Sequence, residues 1–352
     1  MDDHFEIGGQ RIGRGVQADV ALPVTTMATG LDSQLAVRVL NGASQGPVVF
    51  ISAAIHGDEI IGTAIIQRIA SMIAPGALSG TLMLVPVANI FGFLNRTRYL
   101  PDRRDLNRSF PGSANGSLAG QFAHVFFTEV VSRSTLGIDI HSAAVHRYNL
   151  PQIRIAAGNK RLVELAMTFA PPVVIESPLR PGSLRALAHG QGVEMLLMET
   201  GEALRFDRFS IDCGVTGILR VLADLGMIAP DPSIPEPHIP ARANKSRWVR
   251  SARGGVTHRV RKSGDAVRKG DLLAVVSGLF GEDPQEITSP IDGLIIGHAT
   301  LPVVHQGDAL FHIAIVDHPE AVGARIESMT DAIHASEPEG FAEALLDEDE
   351  VL

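Results

Sequence analysis

The sequence predicts an α/β fold: an open, mixed and mostly parallel sheet flanked by helices, followed by a small all-β, barrel-like C-terminal domain. Two observations support this prediction. From Val48 onward, apolar strand-like runs alternate with runs of helical periodicity, as in βαβ units whose helices cover a sheet. Between residues 245 and 316 the helical runs give way to short β-rich runs separated by glycine, which is typical of a small β domain.

The first part of the chain supplies the predicted sheet and its helices in order. Residues 5–45 read as short strands and turns, and an arginine-rich polar loop covers 93–112. The strands are predicted at 48–55, 81–88, 136–140, 153–157, 171–177 and 193–198, and the helices at 62–73, 118–133, 161–170 and 212–227.

Proline marks the predicted boundary between the two parts. Five prolines lie between Pro230 and Pro240, a density that neither a helix nor a sheet accommodates. The sequence therefore divides into an α/β domain with an N-terminal β segment, a linker, a small β domain and an acidic tail, with bounds at 1–229, 230–244, 245–316 and 317–352.

The net charge of −9 is concentrated at the C-terminus. Residues 317–352 hold eleven Asp and Glu residues against one basic residue, Arg325, so this segment carries −10 and the rest of the chain about +1. We expect a solvated, loosely packed tail. The near-neutral body lacks the basic excess of a nucleic-acid-binding protein.

Composition also bears on location. No apolar run approaches the ~20 residues of a membrane span, and the N-terminus lacks the apolar core of a secretory signal. The single cysteine, Cys213, cannot form an internal disulfide. We therefore predict a cytoplasmic protein with a small-molecule partner and neither a nucleic-acid nor a membrane partner; its oligomeric state, a homo-oligomer included, stays open.

Two histidines and a carboxylate follow predicted strands. His56 and Glu59 come after the 48–55 strand, with Gly57 permitting a tight turn between them, and His141 ends the 136–140 strand. Ligand sites of open α/β sheets lie beyond the carboxyl ends of the strands. Two His and one carboxylate, with a fourth position for water, form the ligand set of a catalytic zinc. The sequence therefore predicts a metal site, holding about one zinc per chain.

Other polar residues complete a hydrolytic site. Glu199 ends the 193–198 strand and is the candidate base for the attacking water. The arginine-rich loop contributes Arg98, Asn107 and Arg108, and guanidinium groups bind carboxylates bidentately. We therefore expect an anionic substrate, with one arginine free to polarise a scissile carbonyl.

Each residue also has a non-functional interpretation. An HxxE pair arises often by chance, and His141 alone is compatible with a hydrogen-bonded core histidine. Glu202 is a rival to Glu199 as the base, and Arg98 and Arg108 are compatible with surface charges. What favours the site is that all of these groups fall at or beyond strand ends on one side of the predicted sheet.

Four motifs in this order resemble the succinylglutamate desuccinylase/aspartoacylase family of zinc deacylases, which are related to the zinc carboxypeptidases. They are HGDE at 56–59, DLNRSFPG at 105–112, DIHS at 139–142 and METGE at 198–202, within residues 45–225.

The resemblance implies a zinc carboxypeptidase-like sheet and a role for each candidate residue. The implied zinc ligands are His56, Glu59 and His141, and the implied base and acid is Glu199. It also implies the following substrate contacts: Asn107 and Arg108 to a carboxylate, and Arg98 to the carbonyl.

The β domain separately resembles a biotinyl/lipoyl-type barrel. Residues 271–294 contain no lysine, which a carrier domain needs at its hairpin tip, so we expect a structural or pocket-shaping module. The function predicted for the whole chain is a zinc-dependent deacylase acting on a small N-acyl amino acid or similar anionic amide. The alternatives are a zinc carboxypeptidase acting on peptides and a non-catalytic binding protein.

Overall fold

The structure is a computed structural model that describes residues 4–335. Its first ten strands are β1 His4–Ile7, β2 Gln10–Gly13, β3 Val16–Thr26, β4 Asp32–Asn41, β5 Ser44–Ala53, β6 Ser79–Val85, β7 Leu136–Ala143, β8 Arg147–Ile155, β9 Val173–Glu176 and β10 Glu194–Glu202. The later strands are β11 Ala241–Ala243, β12 Ser246–Arg250, β13 Gly255–Arg259, β14 Ala266–Val267, β15 Leu272–Ser277, β16 Gln285–Thr288, β17 Gly293–Ala299, β18 Val303–Val304 and β19 Ala309–Ala314.

Asn, Ser or Asp caps begin five of the helices within residues 4–335, whereas the helix after Ile60 begins without a side-chain cap. They are α1 Ile61–Met72, α2 Ile90–Asn95, α3 Leu118–Glu129, α4 Lys160–Phe169, α5 Leu184–Gly190, α6 Arg208–Asp224 and α7 Pro319–Ala335. Ser117 begins α3 and Ser183 begins α5 by accepting a backbone N–H of the first turn, which satisfies a donor that has no partner within the helix. No helix within residues 4–335 is long and apolar enough to cross a membrane.

The large sheet confirms the predicted mixed α/β fold. Its central strands lie in the order β4, β6, β5, β7, β10, β8 and β9. The contiguous strands β6, β5, β7 and β10 are parallel, whereas β4 and β8 run antiparallel to their neighbours β6 and β10. The carboxyl ends of β5, β7 and β10 therefore meet at one edge, as the sequence predicts.

Helices bury both faces of this sheet. On one face, α1 and α6 pack apolar residues such as Ile65 and Ile218 against Ile51 and Ile138. On the other face, Phe126 of α3 packs edge-on against Phe50 of β5 at 5.8 Å between ring centroids. Because both faces are covered, every residue of β7 is buried, including the polar ones.

The C-terminal β region continues the large sheet. Antiparallel β12, β19 and β17 extend it from β8, with Gly297 of β17 opposite Asn149 of β8. A second sheet of β16, β15, β13 and β18 closes over them, around a core that includes Leu273 and Phe311. The β region is thus joined to the α/β part through backbone hydrogen bonds beside the carboxyl ends of the strands.

Parts of the predicted linker and tail form regular structure. Within 230–244, β11 pairs in parallel with β9. Within 317–352, α7 buries Val322 and Ile326 against the β region, with Met329 packed beside them, a spacing that makes one apolar face of a helix. The expectation of a loosely packed tail therefore does not hold for 322–329, and 336–352 lie outside the described residues.

Candidate metal centre and pocket

The metal-site residues occupy the turn after β5 and the end of β7. Gly57 lies so close to the backbone of α2 that a Cβ at this position would stand 1.9 Å from the carbonyl carbon of Gly92. Only glycine fits this approach, so the turn can run directly from the strand to Glu59.

His56, Glu59 and His141 converge in the interior. Nδ1 of His56 lies 2.7 Å from Oε1 of Glu59, and Nδ1 of His141 lies 2.7 Å from Oε2 of the same carboxylate. All three residues are at most 4% exposed, and their ligand atoms lie within 4.8 Å of one another. The structure therefore brings together the three predicted ligands around one point.

Mutual pairing controls the charges of the cluster. Burial alone would raise the pKa of Glu59, but the adjacent His56 and His141 lower it below its ordinary value. Burial opposes protonation of His141, yet Asp139 and Glu59 raise its pKa well above the usual range. A bound cation would replace the protons that these three side chains share.

Carboxylates orient both imidazole rings from behind. Oδ2 of Asp139 lies 2.7 Å from Nε2 of His141, and Oδ1 of Asp139 accepts a hydrogen bond from the Ser52 hydroxyl at 2.7 Å. Oδ1 of Asp105 lies 3.3 Å from Nε2 of His56. Each histidine therefore turns Nδ1 toward the shared point, and this donor set fits a zinc ion held by two imidazoles and one carboxylate.

All seven predicted site residues line one cavity of about 240 Å³. They are His56, Glu59, Arg98, Asn107, Arg108, His141 and Glu199. Glu199 lies opposite His141 in the parallel β10–β7 pairing, outside the three-residue cluster. Its carboxylate accepts a hydrogen bond from Nδ2 of Asn149 at 2.9 Å, and Nη1 of Arg154 lies 3.6 Å away.

Glu202, the rival carboxylate, has a different environment. It does not line the cavity and instead accepts hydrogen bonds from the backbone N–H of His146 at 3.0 Å and the Thr300 hydroxyl at 3.1 Å. Glu202 therefore joins the turn before β8 to the β region.

The arginine-rich loop lies against both the metal cluster and α5. Arg98 donates to Asp105 at 2.9 Å and to Glu59 at 3.4 Å. The side-chain oxygen of Asn107 accepts from the backbone N–H of Leu184 at 2.9 Å, which fixes the amide at the start of α5. Arg108 is exposed at the cavity and has no carboxylate partner among residues 4–335.

The sequence reasoning missed several residues of this cavity. They are Arg147, Tyr148, Asn149, Arg154, Arg180, Arg185, Trp248 and His298. His298 and Trp248 belong to the β region, for which the sequence analysis expected a structural or pocket-shaping role but named no site residue. Four of the missed residues are arginines, which composition alone does not distinguish from the other basic residues of the chain.

Comparisons with known proteins give a family match and a related sequence. Residues 45–225, just over half of the chain, match the sequence model described as the succinylglutamate desuccinylase/aspartoacylase catalytic domain. The chain is 27% identical over 312 residues to N-alpha-acetyl-L-2,4-diaminobutyric acid deacetylase from Halomonas elongata, covering 84% of this chain and 86% of that protein.

Two solved structures share the fold. The product-bound ectoine utilization protein EutE (DoeB) from Ruegeria pomeroyi has a TM-score of 0.76 and 23% identity, over 85% of this chain and 95% of that one. A succinylglutamate desuccinylase/aspartoacylase from Rhodobacter sphaeroides has a TM-score of 0.77 and 22% identity, over 85% of this chain and 96% of that one. At these identities the likeness concerns the fold.

Proposed function

The chain belongs to the succinylglutamate desuccinylase/aspartoacylase family, and from this premise we propose that it is a zinc-dependent deacylase that hydrolyses the amide bond of a small N-acyl amino acid or similar anionic substrate. The observation that carries the proposal is the convergence of His56, Glu59 and His141 within 4.8 Å, in the cavity that Glu199 also lines. The deacetylase relative from Halomonas elongata supports the reaction class.

Three residues would hold the metal. His56 and His141 offer Nδ1, Glu59 offers its carboxylate, and Asp139 keeps His141 in the required tautomer by pairing with Nε2. When bound, zinc would polarise the acyl carbonyl as a Lewis acid and lower the pKa of water.

Glu199 is the proposed general base and acid. Its carboxylate faces the cavity, is held by Asn149, and stands apart from the three clustered ligands. It accepts a proton from the attacking water and returns a proton to the leaving amine, which would otherwise depart as an unstable anion.

Arg98 is the proposed partner of the carbonyl oxygen. Asp105 and Glu59 hold its guanidinium beside the metal cluster, so its N–H groups are oriented before substrate arrives. Because these donors are already oriented before the reaction, they stabilise the negative charge that develops on the carbonyl oxygen and need not reorganise.

Uncompensated positive charge supports an anionic substrate. Four arginines of the cavity have no carboxylate ion-pair partner among residues 4–335, namely Arg108, Arg147, Arg180 and Arg185. Burial, aided by Arg154 and Arg180, lowers the pKa of Arg185 to about 10. We propose that Asn107 and Arg108 bind the substrate carboxylate, with Arg180 and Arg185 adding to the field that attracts it.

The test combines hydrolysis with metal analysis. Purified protein is assayed against N-acetyl-L-2,4-diaminobutyrate and a set of other N-acyl amino acids, and we expect hydrolysis with about one zinc per chain. His56→Ala and His141→Ala should lose most of both, whereas His189→Ala, exposed on α5, should retain both. Full zinc in both ligand variants would refute the site, and cleavage of blocked dipeptides alone would identify a peptidase.

A further inference from the structure

Two residues of β8 approach the two carboxylate oxygens of Glu199. Nδ2 of Asn149 donates to Oε2 of Glu199 at 2.9 Å, and Nη1 of Arg154 lies 3.6 Å from Oε1. Asn149, Arg154 and Glu199 all line the cavity of the metal centre. Each oxygen of the proposed base therefore has a partner on the neighbouring strand.

An irregularity in β8 brings both partners to the same face of the sheet. Gln152 lies opposite Glu199, and Asn149 lies opposite Gly201. This interval is two residues along β10, from 199 to 201, but three along β8, from 152 to 149. Side chains alternate between faces in a regular strand, so without the extra residue Asn149 and Arg154 would point to opposite sides. The bulge thus directs Asn149 toward Glu199.

Gly297 of the β region packs against Asn149. The two residues lie opposite each other in the antiparallel pairing of β17 with β8. A Cβ at Gly297 would stand 3.0 Å from Oδ1 of Asn149 and 3.3 Å from the carbonyl oxygen of Tyr148. Gly297 does not adopt a positive φ, so crowding, and not backbone strain, opposes an alanine here. A methyl group at this position would displace its neighbours by a few tenths of an ångström.

Gly297, Asn149 and Glu199 therefore form a contact chain from the β region to the proposed base. Asn149 is only 8% exposed, with its Oδ1 beside β17 and its Nδ2 donating to the carboxylate. Because both atoms belong to one planar amide, a shift on the β17 side also moves the donor. Hydrogen bonds weaken steeply with misalignment, so Glu199 would lose its orientation.

We propose that Gly297 and Asn149 are positioning residues of the deacylase. Gly297 leaves the space that sets the Asn149 amide, and Asn149 orients the carboxylate of Glu199 for proton transfer. The inference rests on the proposed function, in which Glu199 accepts the proton of the attacking water. The β region accordingly acts on the chemical step through this contact chain.

Steady-state kinetics of single variants tests the contact chain, with the N-acyl amino acid that the wild type hydrolyses fastest. Asn149→Ala removes a hydrogen bond to a charged group, so kcat should fall by roughly 10- to 100-fold with zinc content and KM retained. Gly297→Ala should lower kcat by about fivefold, since a displacement of about 1 Å can cost ~100-fold. Gly254→Ala is the matched control in the β region, because it lies outside the cavity and its Cβ would meet no atom closer than 3.4 Å. It should match the wild type.

The double variant separates positioning from general crowding. In Asn149→Ala/Gly297→Ala the added methyl no longer meets an amide that binds Glu199, so kcat should equal that of Asn149→Ala alone. The crowded Tyr148 carbonyl remains, so thermal stability should still fall. Losses in kcat that multiply would overturn the proposal. A raised KM with unchanged kcat in Asn149→Ala would also overturn it, because Asn149 would then bind the substrate directly, and this variant decides the matter even if Gly297→Ala fails to fold.

The side-chain amide resonance of Asn149 reports the contact chain without turnover. It is identified by its absence from the NMR spectrum of isotope-labelled Asn149→Ala. The resonance should shift in Glu199→Ala and in Gly297→Ala but not in Gly254→Ala. A resonance that Gly297→Ala leaves in place would refute the contact chain even if deacylation is observed. The expected shifts without hydrolysis of any N-acyl amino acid would instead refute the deacylase function and leave the contact chain standing.

Discussion

The cavity has two walls that differ in how they are built. The metal wall comes from the ends of parallel strands, where His56, Glu59 and His141 are at most 4% exposed and Asp139 is fully buried. The outer wall comes from antiparallel strands and loops, where Trp248 is 41% exposed and Arg108 has no carboxylate partner among the described residues. The proposed metal site is thus buried and fixed, whereas the outer wall exposes a guanidinium group and an aromatic ring.

The difference follows from the topology of the two sheet regions. Parallel strands deliver their last residues to one edge, so side chains from β5, β7 and β10 meet there with helices covering both faces. Antiparallel β8, β17, β19 and β12 instead place residues opposite one another along a row, one residue per strand. Changes in the first region should therefore act on chemistry, and changes in the second on binding, except where Asn149 holds Glu199.

Glu199→Gln should have the largest effect on turnover. The amide keeps the size of the carboxylate and still accepts from Asn149, but it cannot take a proton from water. We expect kcat to fall by ~10²–10⁴ with zinc and substrate affinity retained. Steady-state kinetics with zinc analysis would check this.

Glu202→Gln is the matched control, because its amide oxygen can still accept from His146 and Thr300. We expect Glu202→Gln to lower kcat much less than Glu199→Gln does. Loss of zinc in Glu199→Gln would instead make Glu199 a ligand, and an inactive Glu202→Gln beside an active Glu199→Gln would exchange the two roles.

Arg108→Ala should lower kcat/KM by roughly 10- to 100-fold, since hydrogen bonds to charged groups are worth about 1.5–3 kcal/mol. Because Arg108 is exposed at the cavity, its removal should cost less than the loss of one partner of a buried ion pair. Arg108→Lys should not restore activity because it lacks the planar fork. Arg104→Ala, exposed in the same loop outside the cavity, should be silent. Equal losses in the two alanine variants would mean that the loop acts through its fold.

The sequence predicted that His56, Glu59 and His141 come together because each lies at or just beyond the end of a recognisable strand. His56 and Glu59 share one tight turn, and His141 and Glu199 end strands whose apolar runs are plain in the sequence. If β5, β7 and β10 are parallel, their carboxyl ends must lie at the same edge of the sheet. The mixed α/β fold could be predicted for the same reason, since alternating strands and helices restrict the topology to few arrangements.

Unlike Arg108, the outer-wall residues Trp248 and Asn149 were not predictable in this way. Trp248 reaches the cavity because β17 pairs with β8, a contact between segments about 150 residues apart that no local pattern encodes. Asn149 contacts Glu199 only because β8 turns antiparallel beside β10. The packing of α7 was missed because its acidic residues dominate the composition, although Val322, Ile326 and Met329 lie on one helical face.

Asp139→Asn should weaken metal binding while leaving the three ligands in place. The carboxylate pairs with His141 and accepts from Ser52 in the buried interior, and such supporting partners are worth about 10- to 100-fold in metal affinity. Competition with a chelator would measure the loss. Ser52→Ala, which removes only one hydrogen bond to Asp139, should cost less. Unaltered zinc affinity in Asp139→Asn would show that packing alone orients His141.

His298→Gln should alter the pH dependence of stability, the smallest effect expected. Nδ1 of His298 accepts from the backbone N–H of Ser263 at 3.0 Å, and its pKa falls from 6.5 to about 3 in the folded chain. The folded state therefore disfavours the proton that the unfolded state binds. The contribution of His298 to the free energy of unfolding is therefore fully present above pH 6.5. It is lost as the pH falls from 6.5 toward 3, by about 1.4 kcal/mol per pH unit. At pH 5 the loss reaches about 2 kcal/mol.

Thermal denaturation from pH 7 to pH 5 would measure this difference. Glutamine can still accept from Ser263 but does not titrate, so the variant should lose less stability than the wild type on acidification. His189→Gln, exposed on α5, should follow the wild type. Parallel curves for wild type and His298→Gln would mean that burial does not lower the pKa of His298 in the folded chain.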